Sequence, residues 1–142
     1  MSEQIRYLHL PPGAEPPEIS GIGHFKAVLV IEHEVADAWR ALISEWLVDT
    51  GCLYMMAWGR DCSTWDDAVD WANLEDFDFR EIPDERLVMT TWHEKQALEE
   101  VFGFAKHAAR HEHAELATTV IVHIGQLEKR DELTKAFSEA RT

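Results

Sequence analysis

The reactive residue types of this 142-residue chain are densest in WGRDCSTWDD (58–67) and TTWHE (90–94). Cys62 sits between a strand-like run and a helix-like one. A thiol at a helix N-terminus faces unpaired N–H groups, which lower its pKa and favour the nucleophilic thiolate. His93 closes another strand-like run and is of the general-base type, and Asp61 is a carboxylate able to orient it. Cys62, His93 and Asp61 are therefore the candidate catalytic set of a small-substrate hydrolase or transferase, with His33 and His123 assisting. No phosphate-binding loop, G-x-G-x-x-G fingerprint or C-x-x-C pair accompanies them. The plainer role of the same residues is structural. Cys62 would pack as a small hydrophobe, Asp66 and Asp67 would complement a helix dipole, and Ser63 with Asp66 would form a capping box.

A second pattern is electrostatic. The chain carries 27 acidic and 13 basic residues, a net charge of −14. Residues 61–85 hold ten carboxylates and one cation, Arg80, with Trp65, Trp71, Phe77 and Phe79 interleaved. Carboxylates steer a basic partner and aromatics anchor it. The binding residues expected on this basis are Trp65, Asp66, Asp67, Asp70, Trp71, Glu75, Asp76 and Asp78. Of the aromatics, Trp65 fits a buried helical stripe, whereas Trp71, Phe77 and Phe79 fit it less well. The same charge repels phosphate backbones and anionic bilayers, so neither nucleic acid nor membrane is expected as a partner.

His33, Asp61, His93 and His123 are metal-ligand types on four different strand ends, but no H-E-x-x-H or C-x-x-C spacing supports zinc. Neither a metal nor a cofactor is expected. A metal- or nucleotide-sensing module at the strand ends is a third reading. Two cysteines make no disulfide framework, and the N-terminus lacks a signal-peptide pattern, so a cytoplasmic location is expected.

Four apolar runs must position these residues. Phe25–Ile31 leads into Glu32 and His33, and Cys52–Trp58 into Arg60, Asp61 and Cys62. Leu87–Trp92 leads into His93 and Glu94, and Leu116–Val122 into His123. Helical periodicities lie between and after them, with Gly51 suited to stop the first. Alternation of strands with helices of this length predicts parallel βαβ units. The expected fold is α/β: a three-layer α/β/α sandwich on a mostly parallel sheet of about four strands. IRYLHL is available as an extra N-terminal edge strand. Residues 1–24 otherwise read as an irregular Pro-rich arm and 25–142 as one domain. Ligands of such sheets bind outside the carboxyl ends of the strands, so the chain is expected to gather its ionisable residues on that rim.

The run MMAWGRDCSTWDDAVDWANLEDFDF with MTTWHEK resembles an uncharacterised family of small bacterial single-domain proteins, over about residues 24–125. The resemblance implies a cytoplasmic bacterial protein and carries no activity. By fold and charge alone the chain is also analogous to small acidic inhibitors such as barstar-like immunity proteins. The leading expectation is an acidic interaction module, of an immunity- or antitoxin-like kind, that binds a basic protein.

Overall fold

Five segments form the strands of one sheet in the computed structural model, which describes residues 4–19 and 21–141. They are β1 (Gln4–His9), β2 (Phe25–Ile31), β3 (Cys52–Gly59), β4 (Met89–His93) and β5 (Thr118–Ile124). The helices are α1 (Asp37–Thr50), α2 (Cys62–Asp76), α3 (Leu98–His107) and α4 (Arg130–Glu139), with a 3₁₀ turn at Asp84–Arg86. All four strand pairings are parallel, in the order β1-β5-β2-β3-β4. IRYLHL does add an edge strand, and the sheet has five strands rather than about four.

Every residue of β2 and β5 is buried, as a continuous apolar run covered on both faces requires. Their side chains alternate between two cores. Ala27, Leu29 and Ile31 of β2 join one with Trp39, Ile43, Leu47, Trp65 and Val69 of α1 and α2. Val28 and Val30 join the other with Val101, Phe102, Leu133 and Phe137 of α3 and α4. The molecule is thus a three-layer α/β/α sandwich. Trp39 and Trp65 meet edge-on at 6.4 Å between α1 and α2, a geometry aromatic quadrupoles favour.

Local signals account for several boundaries. Gly51 ends α1 in the left-handed conformation (φ 111°), and its N–H bonds the Leu47 and Val48 carbonyls. The expected capping box at Ser63 does not form, because α2 starts two residues earlier than a Ser63 cap requires, at Cys62. Its N-cap is Asp61, held at φ 53° with no side-chain cap bond. The left-handed Asp61 turns the chain sharply from β3 into α2, and this brings Ser63 inside the first turn. The Pro-rich stretch after β1 lies against α1, where the Trp39 and Trp46 indoles donate to the Ala14 and Pro17 carbonyls, each at 2.9 Å.

The strand order decides where a site can lie. From β2 the chain moves outward through α1 to β3 and through α2 to β4. It then returns by α3, across the other face, to β5 on the far side of β2. The direction reverses between β2 and β5, which makes their carboxyl ends the topological switch point of the sheet. Among the described residues no helix is long and apolar enough to cross a membrane.

Candidate functional site

At the switch point Glu32 follows β2, His123 lies in the last turn of side chains on β5, and Tyr7 lies on the neighbouring β1. The register that pairs Tyr7 with Ile121 and Val30 with His123 brings them together. His123 is fully buried. Its Nδ1 lies 2.7 Å from the Tyr7 hydroxyl and its Nε2 2.6 Å from Glu32 Oε1. The Lys129 backbone N–H donates to the Tyr7 hydroxyl at 2.9 Å, and Lys129 Nζ donates to Glu32 Oε2 at 2.7 Å. These bonds close a ring. One proton arrangement satisfies every member: Tyr7 donates to Nδ1, Nε2–H donates to Glu32, and the carboxylate is ionised.

Burial alone would raise the Glu32 carboxyl, but the hydrogen bonds from His123 and Lys129 outweigh it, and the net shift is downward. The hydrogen bond and charge of Glu32 in turn raise the Lys129 ammonium. Burial raises the Tyr7 phenol against the lowering effect of the Lys129 N–H. Gly125 leaves the space the ring needs, since a Cβ there would stand 2.8 Å from Glu32 Oε1 and 2.9 Å from His123 Nε2. His9 stacks on His123 at 5.5 Å and bonds the Gly125 carbonyl at 2.8 Å. The rim is therefore built, but its polar groups are spent on one another.

The catalytic candidates lie at the ends of β3 and β4, away from the switch point. Cys62 is buried, and its burial raises the thiol, the His93 backbone pulling it down less strongly and the Glu94 charge adding to the rise. Nucleophilic cysteines show the opposite balance. Both ring nitrogens of His93 are engaged, one by Thr91 Oγ1 at 2.9 Å and the other by Gln96 Oε1. Asp61 is exposed and lies 4.0 Å from Arg60. Cys62 and His93 are thus neighbours through the backbone, while the imidazole is directed to other partners. His33 bonds the Glu34 carbonyl and meets Gln126 at 3.1 Å. Among the described residues no three His, Cys, Asp or Glu side chains are placed to share a metal ion.

The acidic stretch divides sharply. Trp65 is completely buried in the α1–α2 core, so of the expected binding aromatics it is the one that faces inward. Trp71 and Phe79 are 59% and 54% exposed and pack edge-on at 5.0 Å. The end of α2 explains this. The Phe79 N–H bonds the Leu74 carbonyl and the Asp78 N–H bonds the Glu75 carbonyl, at 2.9 and 3.0 Å, which is a Schellman closure. It is made without glycine: Asp78 (φ 54°) and Phe79 (φ 60°) are both left-handed. For a bulky residue that conformation costs on the order of 1–2 kcal/mol.

Asn73 ties the following segment down, accepting from the Val88 N–H at 2.9 Å and donating to the Arg86 carbonyl at 3.3 Å. Asp70 accepts from Thr90 Oγ1 at 3.0 Å. Its carboxyl is raised by burial, against that hydrogen bond, with Asp66 and Asp67 adding repulsion. Asp67, Glu75, Asp76 and Asp78 are exposed around the aromatic pair.

Sequence reasoning marked Glu32 only as a strand end and His123 as an assisting or metal-ligand type, and it missed Tyr7, His9 and Lys129. The signal available for Tyr7 and His9 was the alternation in IRYLHL, which places them on one side of a strand. Lys129 had none, because its role depends on where α4 begins in space.

A protein-family model described as a domain of unknown function matches residues 5–140, nearly the whole chain. Comparison with curated proteins and with solved structures finds no match.

Proposed function

Since the chain belongs to the Domain of unknown function family DUF7684, which supplies no activity, we propose from its own surface that it is an acidic interaction module for a basic protein. The observation that carries this reading is the Trp71–Phe79 pair. Two large aromatics stand in water among carboxylates, one of them on strained backbone. A soluble chain gains nothing in its own fold from that arrangement, whereas aromatic anchors ringed by steering charges are what a binding surface requires.

Two details support the same surface. Asp66 Oδ1 is buried without a hydrogen-bond partner among the described residues, so its charge is not offset locally and adds to the negative field of this surface. The upward shift of Asp70 reflects burial and crowding by Asp66 and Asp67, and a cationic partner would relieve that crowding. The inhibitor-like role of an immunity or antitoxin protein suits this chemistry. It requires a rigid anionic surface and no catalytic group.

The test is a tagged pull-down from the native host at moderate salt, followed by binding kinetics of the captured protein. A basic partner in stoichiometric amount, released by raised salt, is the expected result. Trp71→Ala should weaken it by about 2 kcal/mol, roughly thirtyfold, mainly in dissociation. Reversing Asp66, Asp67 and Asp70 to lysine should mainly slow association. A partner that binds both variants as it binds the parent chain removes this surface from the function.

A further inference from the structure

The amino end of the same sheet holds an open cavity of about 710 Å³, within the roughly 300–1,000 Å³ of small-molecule sites. Its floor is the start of β3 at Leu53. One wall is the end of α1, with Trp46 and Asp49, and another is the Pro-rich stretch at Pro17. The end of α2 closes it with Asp76.

The electrostatics of this cavity run against ordinary helix design. It lies where α1 and α2 both finish, so the negative ends of two macrodipoles converge on it. Helices normally place Lys, Arg or His there. Neither α1 nor α2 has a basic residue in its last turn. Each has an aspartate instead, Asp49 in α1 and Asp76 in α2, and both line the cavity. Burial raises the Asp49 carboxyl and the charge of Asp76 raises it further, so the two carboxylates feel each other. Arg86, on the same wall, stacks over the Phe77 ring at 5.8 Å.

We propose that this cavity is a binding site for a small organic cation, an amine with an apolar body. The ammonium would lie between Asp49 and Asp76 at the two helix ends, and the body against Trp46, Pro17 and Leu53. Three carboxylates line the cavity, Glu18, Asp49 and Asp76, but among the described residues no three such groups are placed to share a metal ion, so it is a poor cage for a bare cation that needs many oxygen ligands. The site shares Asp76 with the acidic stretch but no other residue of the proposed binding surface, and it does not depend on the reading of the Trp71–Phe79 pair.

Phenethylamine, 2-phenylethanol and 3-phenylpropionate distinguish charge from shape. Each would be titrated into the intact chain at low ionic strength by calorimetry, with the Trp46 indole N–H followed by ¹⁵N NMR. The amine should saturate one site and shift Trp46. The alcohol should bind at least tenfold more weakly and the carboxylate not measurably. Asp49→Asn with Asp76→Asn should weaken the amine at least tenfold. Glu112→Gln with Glu139→Gln, an equal change in net charge elsewhere, should leave it unaltered. Equal binding of amine and alcohol, absence of saturation, or equal loss in both double variants overturns the site. The amine-to-alcohol comparison uses the unaltered chain and decides the matter even if the Asp49/Asp76 variant does not fold.

Discussion

The two ends of the sheet use charge in opposite ways. At the carboxyl rim an anion, a cation and an imidazole close on one another: Glu32 takes hydrogen bonds from His123 and Lys129, and its carboxyl is held down. At the amino end two anions stand at two helix C-termini, and Asp49 is pushed up by burial and by Asp76. The conventional ligand position of a parallel α/β sheet is thus occupied by the protein's own groups, and the unconventional end is left open and electrostatically unbalanced. A site is better recognised by unmet demand than by its place in the topology. The surface at Trp71 and Phe79 belongs with the amino end in this respect, since it also holds a raised carboxyl, Asp70, and backbone strain that the fold alone does not reward.

The comparison can be broken most directly at the rim. His123→Ala should destabilise the chain by roughly 3–5 kcal/mol, because it strips a buried partner from Glu32 and leaves the Tyr7 hydroxyl short of an acceptor. Urea unfolding measures this, and a loss well under 1 kcal/mol would mean that the ring does not hold the rim together. Tyr7→Phe keeps the ring shape and removes one hydroxyl, so a loss of about 1–3 kcal/mol is expected from the unsatisfied Lys129 N–H and His123 Nδ1.

Phe79→Gly should act with the opposite sign. Glycine accepts the left-handed conformation freely, so stability should hold or rise by up to about 1 kcal/mol while partner binding falls. A clear loss of stability would show that Phe79 serves the fold and would remove the contrast between its strain and the satisfied rim.

The smallest effect is in the pH dependence, and it sharpens the comparison by sign. The Glu32 carboxyl is lowered, so its contribution is present above the ordinary glutamate range and is lost as pH falls through its lowered value. Asp49 and Asp70 are raised, so the native chain holds those protons more tightly than the unfolded one. Their penalty is present at neutral pH and is relieved as pH falls through the raised values. Urea midpoints between pH 7 and pH 3 should therefore fall less steeply for Glu32→Gln than for the parent chain. For Asp49→Asn the midpoint should exceed the parent's at pH 7, with the advantage fading towards pH 3. Parallel profiles for the two variants would erase the distinction between the ends.

The local chemistry of this chain was legible in its residues, as particular positions show. The apolar run at 25–31 is β2 because seven consecutive buried residues suit a strand covered on both faces. Gly51 ends α1 because it accepts φ 111°. Trp65 lies in the buried stripe that its spacing implied, while Trp71 and Phe79 stand outside it. Strand boundaries shifted by a residue or two, as at Met89–His93, because ladder hydrogen bonds and not hydropathy end a strand. The alternation of apolar runs and helical periodicities determined the parallel three-layer class, and the carboxylate excess determined which partners charge would repel.

The tertiary structure alone decided which strand ends are neighbours. Glu32 and His123 are 91 residues apart and Tyr7 and His123 are 116 apart, and no periodicity spans such intervals. Their meeting depends on β5 inserting between β1 and β2, a choice made by the packing of α3 and α4 on one face and α1 and α2 on the other. The same packing brings the ends of α1 and α2 to one cavity, so that Asp49 and Asp76, unremarkable as separate residues of a sequence, become two like charges facing one space.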